Sequence, residues 1–243
     1  MAETVAGGRA VAIAGVKGGV GKTTLSLNLA AALVSTSRSV VVVEASIAAP
    51  DVADGLHLDV ANRPTLDDVF AGEATAFDAI ATTAHGYGVL PISDPRAAAV
   101  SDVDRLPRIV EVLQRQYDLV LLDTPPAMGY GASQAFDAAD ETLLVTTPRL
   151  SAVHTARRTE TTTRQYGSRP SGIVVNRTGP GNHPKPQRIA NYVGVKLLGA
   201  VPDDDAVAEA TDAGEPVITH TPESRAATAL RDVGKSLAVS RSR

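Results

Sequence analysis

The chain has 243 residues, a hydrophobic fraction of 44% and a formal net charge of −4. This length suits one large α/β domain, and the acidic balance gives no overall basic field for nucleic acid. The absence of cysteine excludes disulfide frameworks, cysteine zinc sites and thiolate-held iron–sulfur clusters. The N-terminus lacks a signal-peptide pattern and no run of eighteen apolar residues occurs, so we expect a cytoplasmic protein.

Apolar runs and helical patterns alternate along the sequence. Seven continuous apolar runs predict strands that are buried on both faces, as in a parallel sheet. These runs are Val11–Ala14, Val40–Val43, Val89–Ile92, Leu119–Leu122, Leu143–Thr146, Ile173–Val175 and Leu197–Val201. Helical spacing between the runs, as over 106–113, predicts an α/β fold: a doubly wound, mostly parallel sheet with helices on both faces. We expect one domain over residues 1–243, with frayed tails at 1–8 and 239–243.

The segment Gly15-Val-Lys-Gly-Gly-Val-Gly-Lys-Thr-Thr24 follows the first predicted strand. A strand, a glycine-rich turn and a helix in succession are typical of a phosphate-binding loop, whose backbone N–H groups surround a polyphosphate. Lys22 would pair with the β- and γ-phosphates, and the Thr23 hydroxyl would bind Mg²⁺. The helix is expected to begin at Thr23 or Thr24. The nucleotide-binding residues expected in this loop are Lys17, Gly18, Gly19, Val20, Gly21, Lys22, Thr23 and Thr24.

Two features of this loop depart from the common motif. Val16 stands where the motif has its first glycine, and a second lysine, Lys17, precedes the glycines. This arrangement resembles the deviant loop of the MinD/ParA family of P-loop ATPases. The resemblance implies a P-loop NTPase fold of the SIMIBI type, ATP and Mg²⁺ as cofactors, and a homodimer in the ATP state. In that family the extra lysine, here Lys17, reaches across the dimer interface to the partner's ATP.

A second expected site element is the apolar run that ends in Asp123 and continues Thr-Pro-Pro126. An acid that ends an apolar run roughly a hundred residues after a phosphate loop is expected to hold Mg²⁺, directly or through a water. In the MinD/ParA family the corresponding Asp-Thr-Pro-Pro stretch ends the Walker B strand and begins the second switch loop. Thr23 and Asp123 are therefore the expected metal ligands.

Two stretches extend the resemblance towards the C-terminus, on the MinD side of the family. Gly172-Ile-Val-Val-Asn-Arg177 is similar to the adenine-side strand, where the Asn176 amide has the donor and the acceptor that the base edge needs. Gly199-Ala-Val-Pro-Asp-Asp204 is similar to the other wall of the base pocket. The nucleotide contacts expected here are Asn176, Arg177, Pro202 and Asp203. The alternative for Asn176 is a turn residue at the end of a strand.

One departure from the family concerns the chemistry. The family's strand after the first helix ends Asp-x-Asp, and its second aspartate opens the first switch loop and helps to set the attacking water. Here the sequence is Glu44-Ala-Ser46, and a serine does not accept a proton at neutral pH. Losing a group that orients the attacking water costs on the order of a hundredfold in rate. Asp51 would take over that role if the loop bends back towards the site. We therefore expect Mg-ATP binding with slow hydrolysis. The expected catalytic residues are Lys17, Lys22, Asp123, Ser46 and Asp51.

The remaining expectations concern partners. MinD proteins of the membrane-cycling kind end in a basic amphipathic helix, but residues 224–243 carry only a narrow apolar stripe. We therefore expect a last helix docked on the sheet, with recruitment to a membrane or pole through a protein partner. Three functions stay open: a positioning switch with a slow ATP cycle, a non-hydrolysing ATP-locked scaffold, and a DNA partition ATPase of the ParA type. The arginines over 157–169 favour a solvated helix face over DNA contacts.

Overall fold

The computed structural model describes residues 7–15, 17–93, 100–126 and 130–239, and eight strands within this part of the chain form one sheet. The strands are β1 (Arg9–Ala14), β2 (Val40–Glu44), β3 (Ala81–Thr82), β4 (Gly88–Leu90), β5 (Leu119–Asp123), β6 (Glu141–Thr146), β7 (Arg169–Thr178) and β8 (Leu197–Pro202). Their order is β3-β4-β2-β5-β1-β6-β7-β8, and every neighbouring pair is parallel except β3 with β4. The predicted mostly parallel sheet is therefore confirmed.

All seven predicted strands are present, with differences at their ends; the largest is in β7, which spans Arg169–Thr178 where the prediction gives only Ile173–Val175. β4 ends at Leu90 and does not continue to Ile92, because Pro91 has no N–H group to offer to the sheet. β3 is not predicted by the sequence, since two residues are too short to show a period. It closes one edge of the sheet in antiparallel pairing with β4.

Helices cover both faces of this sheet. Those of the described residues are α1 (Lys22–Val34), α2 (Leu66–Ala71), α3 (Leu106–Leu113), α4 (Tyr130–Asp137), α5 (Leu150–Gln165), α6 (Pro186–Val193), α7 (Asp205–Asp212), α8 (Val217–His220) and α9 (Arg225–Val239). Short 3₁₀ helices lie at Asp54–Leu56 and Val100–Arg105. The prediction that α1 begins at Thr23 or Thr24 is wrong by one or two residues. The Leu25 N–H already bonds to the Gly21 carbonyl at 2.9 Å, so Lys22 lies inside the first turn.

Alternate side chains of the central strand β1 enter two separate cores. Val11 and Ile13 pack with α1, α7, α8 and α9 on one face of the sheet. Ala10, Ala12 and Ala14 pack with α3, α4, α5 and α6 on the other face. Because β1 is covered on both sides, its carboxyl end, where the glycine-rich loop begins, has a fixed position.

The last helix, α9, lies against β8 and α1. Leu230, Val233 and Leu237 are buried, and a Cβ on Gly199 of β8 would come within 2.4 Å of Val233 Cγ2. The predicted docking of this helix on the sheet is therefore confirmed. No helix of the described residues combines the length and the apolar character that crossing a bilayer requires.

The two predicted tails lie mostly outside the described residues. Residues 1–6 and 240–243 are not described. Gly8, which the prediction assigns to the N-terminal tail, donates its N–H to the Gln114 carbonyl at 2.6 Å. A Cβ on Gly8 would lie 1.7 Å from the Tyr117 carbonyl oxygen, so the chain is closely packed from this residue onward.

Candidate nucleotide-binding site

The two expected phosphate-site elements lie side by side at the centre of the sheet. β1 and β5 are neighbours, with Ile13 and Asp123 as Cα partners. Both strands run parallel, so the glycine-rich loop after β1 and the acid that ends β5 lie at the same edge. The carboxyl edge of an open α/β sheet is where ligands bind in such folds.

Asp123 lies beneath the loop, in contact with the first turn of α1. It is 1% exposed and accepts hydrogen bonds from Thr23 Oγ1 at 2.6 Å and from Ser26 Oγ at 3.2 Å. Burial raises its pKa to about 6, although the Thr23 hydrogen bond and the Lys22 charge oppose that rise. Sequence reasoning missed Ser26, but its spacing of three residues from Thr23 places both hydroxyls on one helix face.

The oxygens of Thr23 and Asp123 fit a Mg²⁺ ion. Hydroxyl and carboxylate oxygens are the hard donors that Mg²⁺ takes from proteins, in combination with phosphate oxygens and water. The buried Asp123 carboxyl reaches the Thr23 hydroxyl directly, so the two expected ligands are already together. A Mg²⁺ ion held there would neutralise charge on the β- and γ-phosphates.

A cleft of about 570 Å³ opens above these residues, and we call it the phosphate cleft. Lys22 lies on its wall and is 8% exposed; burial lowers the pKa of its ammonium group, while Asp123 and Asp51 act in the opposite direction. Its lining includes Gly18, Gly19, Gly21, Lys22, Thr23, Thr24, Ser46, Asp51 and Thr124. The structure thus brings Lys22, Ser46 and Asp51 to one cleft, at the N-terminus of α1, where backbone N–H groups favour an anion.

Ser46 and Asp51 belong to a loop that follows β2. The Ser46 hydroxyl is nearly buried and donates to the Ala49 carbonyl of the same loop at 2.8 Å. Asp51 is exposed on the cleft wall, and its backbone N–H donates to the Glu44 carboxylate at 2.6 Å. The loop therefore does bend back far enough to place Asp51 in the same cleft as Ser46.

The role of Glu44 was missed by sequence reasoning. Its buried carboxylate also accepts hydrogen bonds from the N–H groups of Val52 at 2.7 Å and Ile92 at 3.0 Å. Burial raises the pKa of Glu44 to about 7, although these backbone hydrogen bonds lower it. The signal in the sequence that could have indicated this role is the position of an acid directly after the fully apolar run Val40–Val43. Glu44 joins the loop after β2 to the end of β4.

The expected base pocket is a second cleft of about 430 Å³, lined in part by Asn176, Arg177, Pro202 and Asp203. Asn176 Nδ2 donates to the Val20 carbonyl at 2.9 Å, and its Oδ1 accepts from the Arg177 N–H at 3.0 Å. β7 continues to Thr178, so the alternative of a turn residue for Asn176 is wrong. Val20 itself is buried and enters the site through its carbonyl.

Lys17 lies apart from the other expected catalytic residues. It is exposed, and its Nζ donates to Ser151 Oγ, in the first turn of α5, at 2.8 Å. It lines a different cleft, which shares Gly18, Gly19 and Arg177 with the phosphate cleft. Lys17 is therefore not among the residues that line the phosphate cleft.

The buried strand, the glycine loop, the lysine at its end and the hydroxyl–carboxylate pair together define a P-loop nucleotide-binding protein. The chain belongs to the family described as "CobQ/CobB/MinD/ParA nucleotide binding domain", whose model matches residues 11–217. This confirms the family inferred from the two-lysine loop.

Individual relatives agree with this assignment. The septum site-determining protein MinD of Bacillus subtilis is 33% identical over 245 residues, which cover 95% of this chain and 89% of that protein. The cell division ATPase MinD of Pyrococcus furiosus superposes with a TM-score of 0.90 at 31% identity, covering 95% of this chain and 98% of that one. MinD of Pyrococcus horikoshii, solved with Mg-ADP, gives 0.89 at 29% identity, with 95% and 96% covered. The expected cofactors, ATP and Mg²⁺, are thus confirmed for the family.

Proposed function

We propose that this chain is an ATP-dependent dimer that acts as a positioning switch for protein partners and hydrolyses ATP slowly. Its relative from Bacillus subtilis is named for septum-site determination, and the one from Pyrococcus furiosus for cell division. The proposed site of action is the cytoplasm, with recruitment to a membrane or pole through a partner. The observation that carries the proposal is a binding site built from Lys22, Thr23 and Asp123 beside a neutral Ser46.

Binding and turnover depend on different parts of this site. Lys22 and the N–H groups of the loop would hold the phosphate chain, and Thr23 with Asp123 would hold the metal. On the wall of the same cleft Ser46 supplies only a hydroxyl, which is already bonded to the Ala49 carbonyl. A group in this state neither takes a proton nor directs a water as a carboxylate does. Slow turnover with firm binding is the expected combination.

A switch also needs parts whose surface depends on the nucleotide. Ser46, Ala49 and Asp51 of the loop after β2, and Thr124 and Pro126 after β5, line the phosphate cleft together with the glycines. A γ-phosphate in the cleft would contact both segments, so its loss would release both. Their outer surfaces would then differ between the ATP and ADP states, which gives partners a state to recognise.

The exposed Lys17 supports the dimer. Lys17 lines a different cleft from Lys22, and within the described residues its ammonium group donates a hydrogen bond only to the exposed Ser151 hydroxyl. A side chain that is exposed and outside the phosphate cleft is free to contact a nucleotide in a second subunit. Lys17 would then neutralise charge on the partner's triphosphate.

The test is turnover of Mg-ATP by the purified protein, with Lys22→Ala as the blank. We expect a rate above the blank that rises at least tenfold in Ser46→Asp, because the new carboxylate orients the attacking water. Ser46→Ala is the matched control and should stay at the low rate. Wild-type turnover as fast as that of Ser46→Asp would refute the role assigned to Ser46.

A non-hydrolysing, ATP-locked scaffold is the second candidate, and the hydrogen bond between Ser46 and Ala49 favours it. Binding of Mg-ATP with turnover equal to the Lys22→Ala blank would establish this alternative. A DNA partition role has less support, because Arg157 donates to the Val193 carbonyl and Arg164 pairs with Glu160. Salt-sensitive, ATP-dependent binding to random duplex DNA would nevertheless reverse that order.

A further inference from the structure

One quarter of the chain is almost free of acidic residues. Residues 142–202 contain nine arginines and lysines but one acid, Glu160, although the protein as a whole has a net charge of −4. The segment therefore carries +8 and the rest of the chain −12. Such a separation of charge within one chain indicates a surface that attracts a negatively charged partner.

This segment forms one end of the sheet and the two helices that cover it there. α5 and α6 lie side by side on one face of the sheet, against β6, β7 and β8, the last three strands in the sheet order. Each helix connects two parallel strands, so each runs back from the carboxyl edge of the sheet to its amino edge. Their C-terminal ends therefore lie at the opposite edge from the phosphate cleft.

A pair of rings joins the two helices at the surface. His154 of α5 and Tyr192 of α6 meet edge to face, with their centroids 5.5 Å apart. His154 Nδ1 also lies 2.8 Å from the Tyr192 hydroxyl oxygen. Tyr192 is 49% exposed, so its ring is held in position by the protein and still presents an open side to a partner.

Arg157 is held in place beside this pair. Its Nη1 donates to the Val193 carbonyl at 2.5 Å, at the end of α6. A Cβ on Gly194 would lie 2.7 Å from the same nitrogen, so the glycine leaves the space that the guanidinium needs. Four of the five N–H donors of this side chain remain for a partner.

Three further exposed cations lie close by. Arg158 is one helical turn from His154, Arg188 is one turn from Tyr192, and Lys196 follows Gly194 by two residues. Within the part of the chain that the structure describes, the side chains of Arg158, Arg188 and Lys196 make no ion pair and no hydrogen bond. We call the exposed side chains of Arg157, Arg158, Arg188, Tyr192 and Lys196 the basic face.

The one acid of this segment does not neutralise the basic face. Glu160 is 6% exposed and pairs with Arg164, on the same helix. Arginine and tyrosine are enriched where proteins bind proteins, and guanidinium groups bind carboxylates in bidentate fashion. We propose that the basic face is the docking surface for an acidic segment of a partner protein.

A protein segment is favoured over a phosphate surface by the helix ends. The last carbonyl groups of a helix lack partners within the helix, and this end carries a partial negative charge. The phosphates of nucleic acid or lipid have no donor for these carbonyls and are repelled by that charge. A polypeptide brings backbone N–H groups for the carbonyls together with carboxylates for Arg157, Arg158 and Lys196.

The test measures binding of a labelled polyglutamate peptide by fluorescence anisotropy, without nucleotide and at physiological salt. We expect Arg158→Glu/Lys196→Glu to weaken binding about tenfold or more, since two attractive charges become repulsive. Arg108→Glu/Arg115→Glu is the matched control, with the same change of net charge at two exposed arginines outside residues 142–202. It should change the affinity less than twofold. Mg-ADP affinity should be equal in all three proteins, because the nucleotide lies at the other edge of the sheet.

A random DNA duplex and vesicles of phosphatidylglycerol in phosphatidylcholine complete the experiment. Tighter binding of either than of polyglutamate, lost in Arg158→Glu/Lys196→Glu, would replace the protein partner by nucleic acid or lipid and overturn the proposal. No binding of the peptide, or an equal loss in the control, would overturn it as well. The inference does not rest on the proposed switch, because the binding is measured without ATP. Loss of ATP turnover or of dimerisation would leave it intact.

Discussion

Replacing Gly21 by alanine should disturb the contact between the phosphate loop and β7. Gly21 has φ 90°, and a Cβ there would lie 2.4 Å from Asn176 Nδ2. A left-handed conformation costs a residue with a Cβ about 1–2 kcal/mol. Displacing Asn176 also breaks its hydrogen bond to the Val20 carbonyl, which is worth about 1 kcal/mol. We therefore expect Gly21→Ala to lower the free energy of unfolding by about 2–3 kcal/mol.

Gly19 provides a matched control for this substitution. Its φ is 74°, but a Cβ there would meet no atom within 4 Å, so Gly19→Ala has only the conformational cost. Urea unfolding without nucleotide should show Gly21→Ala to be less stable than Gly19→Ala by about 1 kcal/mol. The affinity for Mg-ADP should also fall more in Gly21→Ala, because Asn176 lines the expected base pocket as well.

A double-mutant cycle with Asn176→Ala tests the cause. Removing the amide removes the collision, so Gly21→Ala in the Asn176→Ala background should cost no more than Gly19→Ala does. Two outcomes contradict the reasoning. They are equal costs for the two glycine substitutions, and a Gly21→Ala cost that Asn176→Ala leaves unchanged.

Two further predictions concern stability. Folding raises the pKa of Glu44 from 4.5 to about 7, so the native state holds this proton more tightly. The free energy of unfolding should therefore fall by up to about 3 kcal/mol as the pH rises from 4.5 to about 7. Urea unfolding at a series of pH values measures this fall, which should be shallower in Glu44→Gln. Asp204 accepts from the Ala206 N–H at 3.3 Å and the Ala226 N–H at 3.1 Å. Asp204→Ala should lower the free energy of unfolding by about 2 kcal/mol. The control Asp205→Ala, at an exposed neighbouring residue, should lower it by far less, and an equal fall in the melting temperature of both variants would contradict this.

The sequence predicts the parallel strands well because they are buried on both faces. Where apolar runs alternate with helical patterns along a sequence, a continuous run such as Val40–Val43 has few interpretations other than a buried parallel strand. The phosphate loop is equally predictable, since glycines, lysine and threonine at fixed spacing are required by the chemistry itself. The two-residue strand β3 has no pattern of its own and depends on the neighbouring β4.

The contacts within the site are harder to predict. Nothing in the local sequence indicates that the Asn176 amide lies on the Val20 carbonyl, 156 residues away. The same holds for the Glu44 carboxylate, which meets the Ile92 N–H 48 residues later. Such contacts depend on the order of strands across the sheet, and that order is a property of the whole fold.

In the loop after β2, the residues that Glu44 holds in place are different from the residue, Ser46, that faces the phosphate cleft. The Glu44 carboxylate fixes the end of that loop at Asp51 and Val52, while Ser46 and its bond to Ala49 lie between the fixed points. A substitution at Ser46 therefore changes what faces the phosphate cleft and removes the bond to Ala49, but it leaves the two Glu44 hydrogen bonds of the loop in place. Under the proposed function, a substitution at this one position would change the lifetime of the ATP state while the Glu44 contacts stay as they are.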